Sequence, residues 1–178
     1  IDEVEQIIGA KAAFKCSYTT SENTDKLKNK IVESYIMNFY QKEGADEKDS
    51  PKKKKKSKKE IQFKVLLVGN SNSGKYELLD YLNNEKVTSD TNQNQNPLRK
   101  IVKNFSFHGK KVDLNIFGTP NNENLQAIRL LTYRDVDVVM LVFSLITKET
   151  FHTLLRNYLK EVKNFANNAA IILVGVDL

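Results

Sequence analysis

The stretch Gly69-Asn70-Ser71-Asn72-Ser73-Gly74-Lys75-Tyr76 keeps the spacing of a phosphate-binding loop, G-x-x-x-x-G-K-[ST], through its lysine and departs from it at the last residue. In such a loop the glycines let successive backbone N–H groups converge on phosphate oxygens at a helix N-terminus, and the lysine adds a point charge beside the outer phosphates. The closing Ser or Thr normally gives its hydroxyl to Mg²⁺. Tyr76 stands there instead, and a phenol at the end of a rigid ring cannot set its oxygen where a short hydroxyl would lie. Without a nucleotide, Lys75 could meet another anion or pair with a nearby carboxylate.

The loop works only between a strand and a helix, and the flanking residues predict both. Ile61–Val68 is an apolar strand running into Gly69, and Leu78, Leu79 and Leu82 form one helical face between Tyr76 and Leu82. Residues 83–96 are rich in Asn, Gln and Thr and read as a loop. Lys103–Phe107 and Lys111–Phe117, joined by His108-Gly109-Lys110, read as a hairpin. Val136–Leu145 is a nearly continuous apolar run, as expected of a strand covered on both faces. Glu149–Phe165 places Phe151, Leu154, Leu155, Tyr158, Leu159 and Val162 on one side of a helix, and Ala169–Val174 is a further strand.

Upstream, residues 2–8 have helical spacing, Lys11–Tyr18 reads as a strand, and Glu22–Gln41 reads as a helix with Ser21 and Asn23 as caps. Residues 42–60 are polar, carry Pro51 and read as a flexible linker. Buried strands alternating with amphipathic helices imply a mostly parallel sheet with helices on both faces.

Composition narrows the classes of function. The net charge is +6, but the tract Lys52, Lys53, Lys54, Lys55, Lys56, Lys58, Lys59 alone carries seven positive charges, leaving the remainder about one unit negative. Basicity is therefore local, and a nucleic-acid interface on the folded part loses its motivation. The tract itself fits an anionic membrane surface, a nuclear import signal or RNA contact, or a solvated linker. The single cysteine, Cys16, excludes an internal disulfide and suits a reducing compartment. His108 and His152 lack cysteine partners, so no metal ligand set is expected. The longest apolar stretch, residues 136–146, is too short to cross a membrane, and the acidic start does not resemble a signal peptide.

From Phe63 to Leu178 the chain resembles Ras-superfamily small GTPases, most like the Rho branch around Leu130-Leu131-Thr132-Tyr133 and Val142-Phe143-Ser144-Leu145. The resemblance implies a P-loop α/β fold, three-layered and doubly wound around a mostly parallel six-stranded sheet, and a site for GTP or GDP with Mg²⁺. It also locates what has changed. Tyr76 replaces the metal-binding Ser/Thr, and Gly118 replaces the aspartate of the D-T-A-G-Q motif. After Thr119, Pro120 and Asn121 replace Ala and Gly, and Asn122 stands at the position of the water-orienting Gln. The first switch, residues 96–102, lacks its Thr, with Thr88 and Thr91 lying upstream. Val176 and Asp177 occupy the N/T-K positions of the base-reading motif, so Asp177, with Ser17 and Tyr18 of a C/S-A-like motif, is what remains to contact a base.

The order of the pieces is also altered. Gly9–Ile36 resembles the last strand and helix of the same fold, yet precedes the loop. The chain thus divides into residues 1–41 as the end of a G domain, 42–60 as a lysine-rich linker, and 61–178 as the segment from the P-loop strand to the fifth strand. A circular permutant, the junction of tandem G domains and a domain-swapped dimer would each produce this order, and the tandem origin explains it most simply. The expectation is a degenerate small-GTPase-like module that binds or scaffolds partners in signalling or vesicle traffic, in the cytoplasm or peripherally on the cytoplasmic face of a membrane. Nucleotide binding would be weak or lost, Mg²⁺ doubtful and hydrolysis lost, and the partner an effector or adjacent G domain. The alternatives are a slow GTPase with unconventional metal ligands or a competent site in a partner module, and a membrane adaptor acting through the lysines.

Overall fold

The structure, a computed structural model, describes residues 8–17, 26–27, 29–34, 61–83, 98–107, 110–120 and 123–177. Its strands are β1 (Ala12–Ser17), β2 (Ile61–Val68), β3 (Arg99–Phe107), β4 (Lys110–Gly118), β5 (Val138–Ser144) and β6 (Ala170–Asp177). The helices are α1 (Lys75–Asn83), α2 (Gln126–Thr132), α3 (Lys148–Thr153) and α4 (Leu159–Phe165). A 3₁₀ turn, Glu123–Leu125, leads into α2, and a π turn, Leu154–Tyr158, joins α3 to α4. Residues 26–27 and 29–34 are also helical.

The six strands form one sheet in the order β1-β6-β5-β2-β4-β3. Every pairing is parallel except β3 with β4. The expected mostly parallel, six-stranded sheet is therefore present. Strand alternation divides the core between its faces. Val65 and Leu67 of β2 point to the face that carries Leu78, Leu79 and Leu82 of α1 together with Leu27, Ile31 and Val32. Leu66 and Val68 point the other way, to Leu154, Tyr158, Leu159 and Val162. The central strands β2 and β5 are buried on both sides, which is why they read as continuous apolar runs.

Asp137, the charge at the entrance to β5, closes the bottom of β2. Its Oδ2 accepts from Lys64 N–H at 2.8 Å, and its own N–H donates to Lys64 O at 3.0 Å.

β1, first in the chain, pairs with β6 of the same chain, with Cys16 opposite Val176 and Ser17 opposite Asp177. Three boundaries differ from expectation. β3 begins at Arg99, so residues 99–102 of the expected first switch lie in a strand paired with Gly118–Asn115. An edge strand tolerates Arg99 and Lys100 because their side chains find partners on opposite faces of the sheet: Arg99 pairs with Asp80, and Lys100 lies 5.4 Å over the Phe117 ring. β6 continues through Gly175, Val176 and Asp177 because β1 and β5 flank it there. The helix expected over Glu149–Phe165 is interrupted by its π turn.

The helix over residues 2–8, except Ile8, the caps Ser21 and Asn23, residues 42–60 with their lysines, the loop 84–96, Tyr18, Asn121, Asn122 and Leu178 lie outside the described residues. Among the described residues no helix is long and apolar enough to cross a membrane.

Candidate functional site

β2 delivers the chain to Gly69, where only a glycine fits: a Cβ would press on the Val142 carbonyl oxygen and lie 2.7 Å from Ser73 Oγ. The loop then turns on one acceptor. Asn70 O receives Ser73 Oγ at 2.9 Å, Ser73 N–H at 3.3 Å and Lys75 Nζ at 2.9 Å. Gly74, at φ +80°, supplies the left-handed step that starts α1, and Leu78 N–H donates to its carbonyl at 2.9 Å. Ser71 and Asn72 form the exposed crest of the loop.

Lys75 is buried at 1% exposure. Burial lowers its pKa to about 7, with Glu77 opposing the shift and Arg129 adding to it. An anion in the loop would hold this lysine protonated, as an opposite charge favours the charged form.

Tyr76 turns its ring into the sheet. A Cβ on Gly118 would lie 3.0 Å from Tyr76 Cε1 and 3.2 Å from its Cδ1 and from Leu79 Cδ2, so the ring occupies the space that a side chain at 118 would need. The phenol donates to Thr119 O at 3.0 Å, and Thr119 is itself fixed by Oγ1–H and N–H bonds to Leu67 O at 2.8 and 3.1 Å. Lys75 Nζ lies 4.6 Å and the Arg99 guanidinium 5.7 Å from the ring centroid, within cation–π reach. Arg99 is ion-paired with Asp80 of α1. Burial raises the Tyr76 pKa, partly opposed by Arg99, so the phenol stays a hydrogen-bond donor at neutral pH.

A second charged centre lies at α2. Arg129, 5% exposed, binds Glu161 of α4 through two bonds, Nε–H to Oε2 at 2.9 Å and Nη2–H to Oε1 at 2.7 Å. Its Nη1 donates to Pro120 O at 3.2 Å, and its guanidinium stacks 5.0 Å from the Tyr158 ring centroid. Tyr133 Oη and Gln126 Nε2 also donate to Glu161, each at 3.2 Å. The hydrogen bond with Glu161 raises the Arg129 pKa against its burial. For Glu161 burial is the largest influence and raises the pKa, but the bonds from Arg129, Gln126 and Tyr133 prevail and hold it below the ordinary value.

Of the residues singled out from sequence, the loop Gly69–Tyr76 and Gly118-Thr119-Pro120 come together through Tyr76, Thr119 and Arg129. Ser17 and Asp177 come together separately, side by side on β1 and β6. Val176 is a buried strand residue whose carbonyl accepts from Leu145 N–H at 2.8 Å, so the N/T-K positions are part of the sheet and not of a loop around a base. Arg99, Asp80, Arg129 and Glu161 escaped the sequence reading. The G-K pair gave no pointer to them, and Arg129 and Glu161 are 32 residues apart.

A glycine-framed loop between a central parallel strand and a helix, in a doubly wound sheet, defines a P-loop domain of the small-GTPase class. A model of the Ras family matches residues 64–178, and the chain belongs to the Ras family. Ras-family domains generally bind GTP or GDP with Mg²⁺, and members typically bind protein effectors. At the two positions matched to the family's metal-holding residues the side chains do not fit Mg²⁺: Tyr76 presents a ring in place of a short hydroxyl, and Gly118, against that ring, presents no carboxylate. Among the described residues no cluster of three or more His, Cys, Asp or Glu could hold a metal.

Proposed function

We propose that the chain is a degenerate small-GTPase-like module that serves as a binding or scaffold unit in signalling or vesicle traffic, with weak or no nucleotide binding and no hydrolysis at its own loop. The observation that carries this reading is the Tyr76 ring packed on Gly118 with its phenol bonded to Thr119 O. Hydrolysis in this fold requires Mg²⁺ to bridge the phosphates and neutralise developing charge, together with a positioned water. Here the metal's place is taken by a side chain. The ion pair between Arg129 and Glu161 gives the same reading a second support, because it fastens α2 to α4 and leaves a fixed surface to present.

The setting follows the element order. The pairing of β1 with β6 favours closure of one fold within one chain, and a protein with tandem G domains accounts for a lysine-rich segment between the two pieces. The partner on this reading is an effector or neighbouring G domain, in the cytoplasm or at the cytoplasmic face of an anionic membrane that attracts the lysines.

Titration with mant-GTP and mant-GDP, with and without Mg²⁺, tests the central claim. The expected result is dissociation constants weaker than micromolar with no gain from Mg²⁺. Micromolar or tighter, Mg²⁺-dependent GTP binding overturns it and establishes the slow GTPase. Light scattering should give a monomer mass, and liposome sedimentation should show salt-sensitive binding to anionic vesicles.

A further inference from the structure

Three segments converge on one side chain. Lys75 of the phosphate loop lies on the Tyr76 ring, Arg99 at the start of β3 lies within cation–π reach of it, and Thr119 after β4 accepts its hydroxyl proton. Arg99 falls in the stretch expected to be the first switch, and Thr119 in the segment matched to the D-T-A-G-Q motif. In a family member that keeps them, a hydroxyl at position 76 and an aspartate at position 118 would hold Mg²⁺, and the metal would then tie the loop to the segment after β4. That tie lasts only while metal and phosphates are present.

We infer that Tyr76 is a permanent internal substitute for that tie: it holds the loop, the start of β3 and Thr119 just after β4 in one arrangement that neither needs nor responds to a divalent cation. Four features of the site support this. Gly118 has no side chain where the ring lies, so ring and glycine are complementary in shape. The phenol's acceptor is immobilised, since Thr119 is bonded twice to Leu67 O of the central strand. Arg99 is itself held to α1 by Asp80, about one helical turn after Tyr76 in a 9-residue helix whose buried residues include both. The Lys75 ammonium and the Arg99 guanidinium both lie within cation–π reach of the ring, so the loop and the start of β3 meet on one side chain.

This inference rests on the proposed loss of the metal and is independent of whether a nucleotide binds. Hydrogen–deuterium exchange of the intact chain, in EDTA and in Mg²⁺, tests it through peptides covering residues 98–102 and 117–120. The wild type should exchange identically in both solutions. Tyr76→Phe keeps the ring and removes the hydroxyl, so exchange should rise about tenfold at 117–120 and stay unchanged at 98–102. Arg99→Met should do the reverse. Tyr76→Phe removes a single hydrogen bond, whereas Arg99→Met leaves buried Asp80 without its partner, so the paired variant Arg99→Met with Asp80→Asn is measured beside it and must show the same exchange at 98–102. Protection of either segment by Mg²⁺ in the wild type, or unchanged exchange in both variants, overturns the inference. Tight nucleotide binding that ignores Mg²⁺ would instead sink the weak-binding proposal and leave this one standing.

Discussion

Two buried cations, Lys75 and Arg129, lie near each other and are handled in opposite ways. Arg129 is given a carboxylate, a backbone carbonyl, an aromatic face and a shared hydrogen-bond network, and its charge is favoured. Lys75 is given one backbone carbonyl and the Tyr76 ring, and its charge is disfavoured by burial. The protein therefore satisfies Arg129 internally and keeps Lys75 short of countercharge. The first is the pattern of a structural ion pair; the second is that of a site residue awaiting an anion. On the proposed reading, the Tyr76 ring against Gly118 stands in for the metal while the lysine that would meet a phosphate is left short of countercharge.

Breaking the Arg129 side of this contrast should give the largest effect. Glu161→Ala leaves a buried guanidinium without its partner, and removal of one member of such a pair costs about 3–5 kcal/mol. The midpoint of urea unfolding should fall accordingly, and α2 should lose protection from exchange first. The pair Arg129→Met with Glu161→Leu should recover most of that loss, since a well-packed apolar replacement removes both charges together. A double variant as unstable as the single one would show that the geometry, not the charge, holds α2.

The Lys75 side should respond with the opposite sign. Its pKa in the folded chain is about 7 against 10.5 for an ordinary lysine, so below pH 7 both states hold the proton and the burial penalty is fully present. Between pH 7 and 10.5 the unfolded chain binds more protons than the folded one, and stability rises with pH. Lys75→Met abolishes this dependence. It should be more stable than wild type by a few kcal/mol, of the order set by about 1.4 kcal/mol per pKa unit, at pH 6, and the gap should narrow as pH rises toward 9. Urea melts of both proteins at several pH values read the difference directly. A gap independent of pH would mean that Lys75 is charged and satisfied in the fold, like Arg129.

Much of the framework was legible because apolar pattern dictates it. β2 was read to the residue from Ile61-Gln62-Phe63-Lys64-Val65-Leu66-Leu67-Val68 followed by glycine, and Leu78, Leu79 and Leu82 gave α1 its buried face. α2 was not legible, because its pattern is inverted: Ile128 and Leu131 are 40% and 77% exposed while Arg129 is buried. Periodicity assumes that apolar residues go inside, and here an ion pair 32 residues apart in sequence orients the helix. The start of β3 was hidden for a related reason, since Arg99 and Lys100 look like loop residues until Asp80 and Phe117 are placed beside them. At the site, the departures from the family motifs at Tyr76 and Gly118 could be seen one position at a time. That the two changes compensate, ring against glycine, needed the fold.

The phenol that completes this compensation should contribute less than either cation. Tyr76→Phe removes one buried hydrogen bond to Thr119 O and leaves the ring on Gly118, so global stability should fall by about 1 kcal/mol. A fall several times larger would mean that the hydroxyl, and not the ring, secures the loop.

Lys64 sharpens the contrast from the weakest end. Its ammonium donates to Arg134 O at 2.6 Å and lies 5.8 Å from the Phe117 ring, a partner set similar to that of Lys75. Burial lowers its pKa as well, but Asp135 and Asp137 oppose the shift, and the bond to Arg134 O is exposed to solvent. Water therefore supplies what the protein does not. Lys64→Met should change stability by less than about 1 kcal/mol, because the stem's packing can be kept and the head group gives up an exposed contact. The gap in urea midpoint between variant and wild type should change from pH 6 to pH 9 in the same sense as for Lys75 but by less. If it does, a carbonyl and an aromatic face suffice for a lysine at the surface and fail only for one that is buried, and the depressed pKa of Lys75 is a consequence of its depth beneath the loop.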